Sequence, residues 1–174
     1  FMGDSAATRA VRFLLAACPL DQKEFFENLL MATHPSGVGL GIHGRDDVAG
    51  DLTANVGICS LAGDKLDILV NVRYPVKWTG AHLEELCRTK LAALGEEWQL
   101  EVTRDSPPLY FPTEHPMVKT IIDVYESETG ERRTPGAMGG GTYARAVPNT
   151  ISIGTGWIGD GDAHENDERI AIQS

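Results

Sequence analysis

The sequence has 174 residues, enough for one domain or two small ones with a real core. Its 42% hydrophobic and 23% charged content is ordinary for a globular chain, and a formal charge of −10 argues against nucleic-acid and anionic-membrane partners, which need clustered Lys and Arg. No apolar run reaches the roughly 18 residues of a membrane span, and no signal peptide is visible. The three cysteines, Cys18, Cys59 and Cys87, are far apart and outside C-x-x-C spacing. They read as free buried thiols of a reducing, cytoplasmic setting. The opening Phe1-Met2 reads as a chain processed or cut from something longer.

In chain order, Ser5 precedes an apolar-periodic run (Ala6, Ala10, Val11, Leu14, Leu15, Cys18) that predicts a helix ended by Pro19. Asp21 opens a second helix, with Phe25, Phe26, Leu29, Leu30 and Met31 on its apolar face and Pro35-Ser36-Gly37 as its stop. Residues 37–50 are rich in glycine and irregular. Within them Gly39-Leu40-Gly41-Ile42-His43-Gly44 matches G-x-G-x-x-G. No strand precedes it and no helix comes after it, so it reads as a flexible loop rather than a dinucleotide site.

From Asp51 the period changes to two. Leu52, Ala54, Val56 and Ile58 alternate with polar or small residues, then Leu66, Ile68, Val70 and Val72 do the same after the turn at Ala62-Gly63-Asp64. This predicts a hairpin with Arg73 at its far end, just before Tyr74-Pro75. Thr79 caps a third helix that runs to about Leu94, with Leu83, Leu86, Leu91 and Leu94 inward and Gly95 as the stop. A strand is expected at Trp98–Thr103. The order predicts an α+β sandwich of antiparallel strands with helices on one face, ferredoxin-like if a further strand joins it. Ser106-Pro107-Pro108 is the expected boundary. Beyond it, His115-Pro116 opens a helix closed by Gly130, then come Gly139-Gly140-Gly141-Thr142-Tyr143-Ala144-Arg145, a short strand at Thr150–Ile153 and a Gly/Asp-rich loop carrying His164. This tail is too small for its own core and reads as part of a larger α/β domain.

Several constellations fail on their own terms. Asp160-Gly161-Asp162-Ala163-His164 has Glu165 and Ala171 where a calcium loop needs Gly and Glu. Neither Gly3-Asp4-Ser5 nor Pro35-Ser36-Gly37 is a nucleophile elbow. Three features survive. Glycines 139–141 let a ligand approach the backbone, and a helix starting at Thr142 would add free N–H groups suited to a carboxylate or phosphate. Arg73 at a strand end can project a guanidinium fork toward a carboxylate. His164, among Asp160, Asp162, Asp167 and Glu168, is the best metal-ligand candidate. A catalytic zinc site needs about three protein ligands, and no second histidine stands at ligand spacing.

Five segments, in order, resemble one family. They are Gly50-Asp51-Leu52-Thr53-Ala54-Asn55-Val56-Gly57, Asn71-Val72-Arg73-Tyr74-Pro75-Val76, Pro108-Leu109-Tyr110-Phe111-Pro112 with His115-Pro116, Gly139 to Arg145, and Ala163-His164-Glu165-Asn166-Asp167-Glu168. The chain resembles the di-zinc aminoacylase/carboxypeptidase-like metallopeptidases, most closely PepV-type dipeptidases. The resemblance implies a ferredoxin-like lid domain, here residues 1–108, inserted into an α/β catalytic domain to which residues 109–174 return. It implies His164 as a zinc ligand of a two-zinc site, and Arg73 as the group that binds the substrate carboxylate and steadies the tetrahedral intermediate. Gly140, Gly141 and Thr142 would hold the substrate's C-terminal carboxylate through backbone N–H groups. The implied substrate is a dipeptide or N-acyl amino acid, hydrolysed by metal-activated water. The family's upstream HxD element, bridging Asp, Glu general base and lid histidine are not in this sequence, so the expectation is a C-terminal fragment, inactive alone, with homodimerisation through an exposed sheet edge. The alternative is a stand-alone small-molecule-binding or dimerisation module without catalysis.

Overall fold

The computed structural model describes residues 5–17, 20–95, 97–138, 140–154, 166–169 and 172. They form an α+β architecture of four helices and two small antiparallel sheets. The helices are α1 (Ala6–Ala17), α2 (Lys23–Ala32), α3 (Gly80–Ala92) and α4 (Pro116–Thr129). β1 (Arg45–Asp46) pairs with β2 (Gly50–Asp51), and β3 (Thr53–Ala62) pairs with β4 (Lys65–Arg73). The chain divides into two compact units, Phe1–Gly139 and Gly140–Ser174.

The helix ends arise from local chemistry. Thr79 is extended and its hydroxyl accepts the His82 N–H at 3.2 Å, which starts α3. His115 caps α4 by accepting the Met117 N–H on Nδ1 at 3.3 Å, with Pro116 in the first turn. Gly130 ends α4 at φ 73°, where its N–H reaches the Glu126 carbonyl at 2.8 Å.

The core of the first unit lies at the base of the β3–β4 hairpin. Ala32, Leu40, Ile42, Leu52, Ala54, Leu83, Cys87 and Leu91 are buried together, with Val70, Val72, Trp78, Leu86 and Leu94 packed around them. The inward face of α3 is therefore the predicted one. The predicted alternation of β3 holds only to Val56. Val56 pairs with Val70 but Ile58 pairs with Leu69, so Gly57 is an extra, bulged residue. A one-residue slip moves the rest of the strand to the other face. Ile58 thus shares the exposed row of β4 with Leu69 instead of the core row. The hairpin also outruns the core, leaving Cys59 and Leu61 exposed, so Cys59 is not the buried thiol expected, whereas Cys87 is buried. Cys18 lies outside the described residues.

The expected strand at 98–103 does not form. Trp98 instead stacks on Phe25 with ring centroids 5.9 Å apart, and Leu100 packs against the core, so the apolar pattern is satisfied by side-chain burial without a ladder. Residues 150–153 form no strand either. The glycine-rich loop is not the flexible segment expected. It contains a 3-10 turn, Val38–Leu40, with Gly39, Leu40 and Ile42 buried. A Cβ at Gly39 would lie 1.8 Å from the Met31 carbonyl oxygen, so glycine is needed there for close packing on α2 rather than for a ligand.

Candidate functional site

Arg73 is the last residue of β4, and its register partner is Thr53, the first residue of β3. Its side chain is exposed, and its guanidinium makes no ion pair or hydrogen bond among the described residues. The outward row around it is polar, since Asn55 pairs with Asn71 two residues further along the ladder.

The backbone just beyond Arg73 is held at several points. Tyr74 donates its phenol to Asp105 Oδ1 at 2.8 Å. Pro75 is fully buried, and its carbonyl accepts the Trp78 N–H at 3.0 Å. The Val76 N–H donates to Asp46 Oδ2 at 2.7 Å. Asp46 is buried, and its other oxygen accepts the N–H groups of Val48 at 2.9 Å and Ala49 at 2.6 Å. These bonds, that from Ala49 foremost, hold its carboxyl below the ordinary 3.8, against the upward push of burial. Sequence reasoning missed Asp46. Its only local signal is the aspartate opening the turn Asp46-Asp47-Val48-Ala49, a setting in which the carboxylate caps backbone N–H groups.

In the second unit, Gly140, Gly141 and Thr142 are exposed. Thr142 is extended at φ −127°, and the helix considered after it is a single 3-10 turn, Tyr143–Ala146. The Thr142 hydroxyl does not cap that turn but meets the Ser152 hydroxyl at 2.6 Å. A Cβ added at Gly141 would meet nothing within 4 Å. His164 lies outside the described residues. Among the described residues no three His, Cys, Asp or Glu side chains are grouped to hold a metal ion. No described helix is long and apolar enough to cross a membrane.

No family model matches the chain. Relatives are found among curated proteins. The chain is 33% identical over 138 residues to "Putative dipeptidase YtjP" of Bacillus subtilis, covering 78% of this chain and 29% of that protein. It is 31% identical over 152 residues to "Putative dipeptidase" of Staphylococcus epidermidis, covering 86% of this chain and 32% of the other. With "Putative dipeptidase SAR1836" of Staphylococcus aureus the identity is 26% over 175 residues, covering 97% and 37%. The chain spans about a third of the length of these relatives.

Proposed function

We propose that this chain is the carboxylate-recognising part of a dipeptidase, with residues 1–108 as part of a lid and residues 109–174 as part of a catalytic domain. The observation that carries the reading is Arg73. It is an exposed guanidinium without a partner among the described residues, in a chain of net charge −10 that has acidic groups to spare. A planar guanidinium binds a carboxylate through two parallel N–H···O bonds, a match that lysine does not reproduce. The dipeptidase names of the relatives support a short peptide ending in a carboxylate as the substrate class, and N-acyl amino acids are proposed beside it. Gly140, Gly141 and Thr142 are proposed as backbone donors to the substrate's C-terminal carboxylate. Zinc is proposed as the cofactor with His164 as one ligand, which atomic absorption on a His164→Ala full-length protein tests by loss of bound metal. A cytoplasmic location and dimerisation through the open edge of the β3–β4 hairpin belong to the same reading, the latter tested by light scattering across concentrations.

The decisive experiment is dipeptide hydrolysis by the full-length gene product. Arg73→Ala is expected to lower kcat/KM about 100-fold, and Arg73→Lys to recover only part of it. Dipeptide amides, which lack the carboxylate, should be hydrolysed equally by wild type and variant. Equal kcat/KM of wild type and Arg73→Ala on ordinary dipeptides overturns the assignment.

A further inference from the structure

We propose that Asp46 is a positioning residue for Arg73, fixing the place from which the guanidinium reaches its carboxylate. The catalytic consequence rests on the dipeptidase reading; the placement does not.

The geometry is two-sided. Asp46 Oδ1 gathers the Val48 and Ala49 N–H groups and so closes the turn between β1 and β2. That turn leads through Gly50–Asp51 and Leu52 into Thr53, the register partner of Arg73. Asp46 Oδ2 accepts the N–H of Val76, 30 residues away in sequence and three residues after Arg73. One carboxylate therefore fastens the strand that enters the Arg73 pair and the chain that leaves it. The same corner is backed by the Leu52 N–H donating to the Gly44 carbonyl at 2.8 Å and the Ala54 N–H donating to the Pro35 carbonyl at 2.7 Å. The Arg73 side chain is long and exposed, so the accuracy with which it presents its fork is set by how firmly its backbone is held. Only an anionic acceptor suits this position: its partners are all backbone donors, and an asparagine would aim an NH₂ at one of them. Asp46 touches no substrate in this reading. It acts through the backbone on either side of Arg73.

Two arms test the proposal. In hydrogen exchange on this chain, Asp46→Asn is expected to raise exchange at Val76, Val48 and Ala49 about tenfold or more, while Val70, laddered to Val56, keeps its rate. Unchanged exchange at Val76 overturns the proposal. Should the variant fail to fold, wild type alone decides: a Val76 amide exchanging as fast as an unbonded turn amide overturns it. In the full-length protein, Asp46→Asn is expected to lower kcat/KM for dipeptides about tenfold in the wild-type background and to change it little in an Arg73→Ala background. Additive losses mean that Asp46 does not act through Arg73, and overturn the proposal. A wild type that turns over no dipeptide removes the dipeptidase reading, and the exchange arm then decides the placement by itself.

Discussion

The two segments proposed for carboxylate recognition are held in different ways. Around Arg73 the backbone is fixed by a ladder pair with Thr53, a buried proline, a phenol–carboxylate bond and a buried carboxylate that gathers backbone N–H groups from both sides. From Gly140 to Gly154 the described residues show a 3-10 turn, the buried Ala144, the Thr142–Ser152 hydroxyl pair and the Thr150 hydroxyl donating to the Pro148 carbonyl at 3.2 Å. The contrast comes from which atoms would do the binding. A guanidinium stands at the end of a long side chain, so a precise origin limits the entropy lost when it engages a ligand. Glycine N–H groups are the backbone itself, and a ligand can order them on arrival at an entropic cost. On the proposed reading, the first segment would meet its ligand pre-organised and the second would couple binding to ordering.

The largest break in this comparison comes from the core beneath the first segment. Ile42 is fully buried, packs close to Gly37 and belongs to the same core cluster as Leu52 and Ala54 at the base of the hairpin. Ile42→Ala leaves a cavity where the chain is already close-packed, and is expected to cost about 2–4 kcal/mol in urea unfolding of this chain. A loss below about 1 kcal/mol would mean that the hairpin base is held by its hydrogen bonds rather than by the core.

A smaller effect should appear as pH falls. The Asp46 carboxyl sits below 3.8 in the fold, so its ionised form is favoured by folding. Its contribution is fully present above the ordinary carboxylate range and is lost as pH falls through the lowered folded value. Glu114, hydrogen-bonded to Lys119 at 2.7 Å, is shifted the same way and adds to the same fall. The diagnostic is therefore the difference between proteins. The urea midpoint of wild type should drop below about pH 4 more steeply than that of Asp46→Asn, which has no carboxyl to protonate there. Parallel pH profiles would show that the Asp46 bonds are not formed in solution.

Much of this was legible from local pattern, and the remainder turned on contacts between distant residues. The β3–β4 hairpin, the Thr79 and His115 caps and the Gly130 stop each rest on chemistry within a few residues. The Asp46–Val76 bond spans 30 positions, and no periodicity announces it. The bulge had a signal, an isolated glycine at 57 within an alternating run, but its consequence for Ile58 needed the register with Leu69. Trp98–Thr103 carried the strand pattern, yet an apolar alternation states only which side chains are buried, and Trp98 found Phe25 instead of a neighbouring ladder. Glycine content misled in the loop around Gly39, where the reason for glycine is the Met31 carbonyl. Arg73 was placed at its strand end by the proline two residues on. Its assignment as the substrate-carboxylate group came from the family resemblance.

The smallest structural effect, and the sharpest test of the second segment, belongs to Gly141. A glycine is required where φ is positive or where another atom comes close. Gly141 is not among the positive-φ residues, and a Cβ there would meet nothing within 4 Å. Gly141→Ala is therefore expected to change stability by no more than about 0.5 kcal/mol in urea unfolding. If a substrate carboxylate approaches this backbone closely, the added methyl intrudes on the ligand alone. KM for dipeptides should then rise several-fold in the full-length protein, while Thr142→Val, which removes only the hydroxyl bonded to Ser152 and keeps the N–H, leaves KM nearly unchanged. The reverse order, with Thr142→Val harmful and Gly141→Ala silent, would move recognition from the backbone to the hydroxyl. The second segment would then bind as the first does, through a side chain.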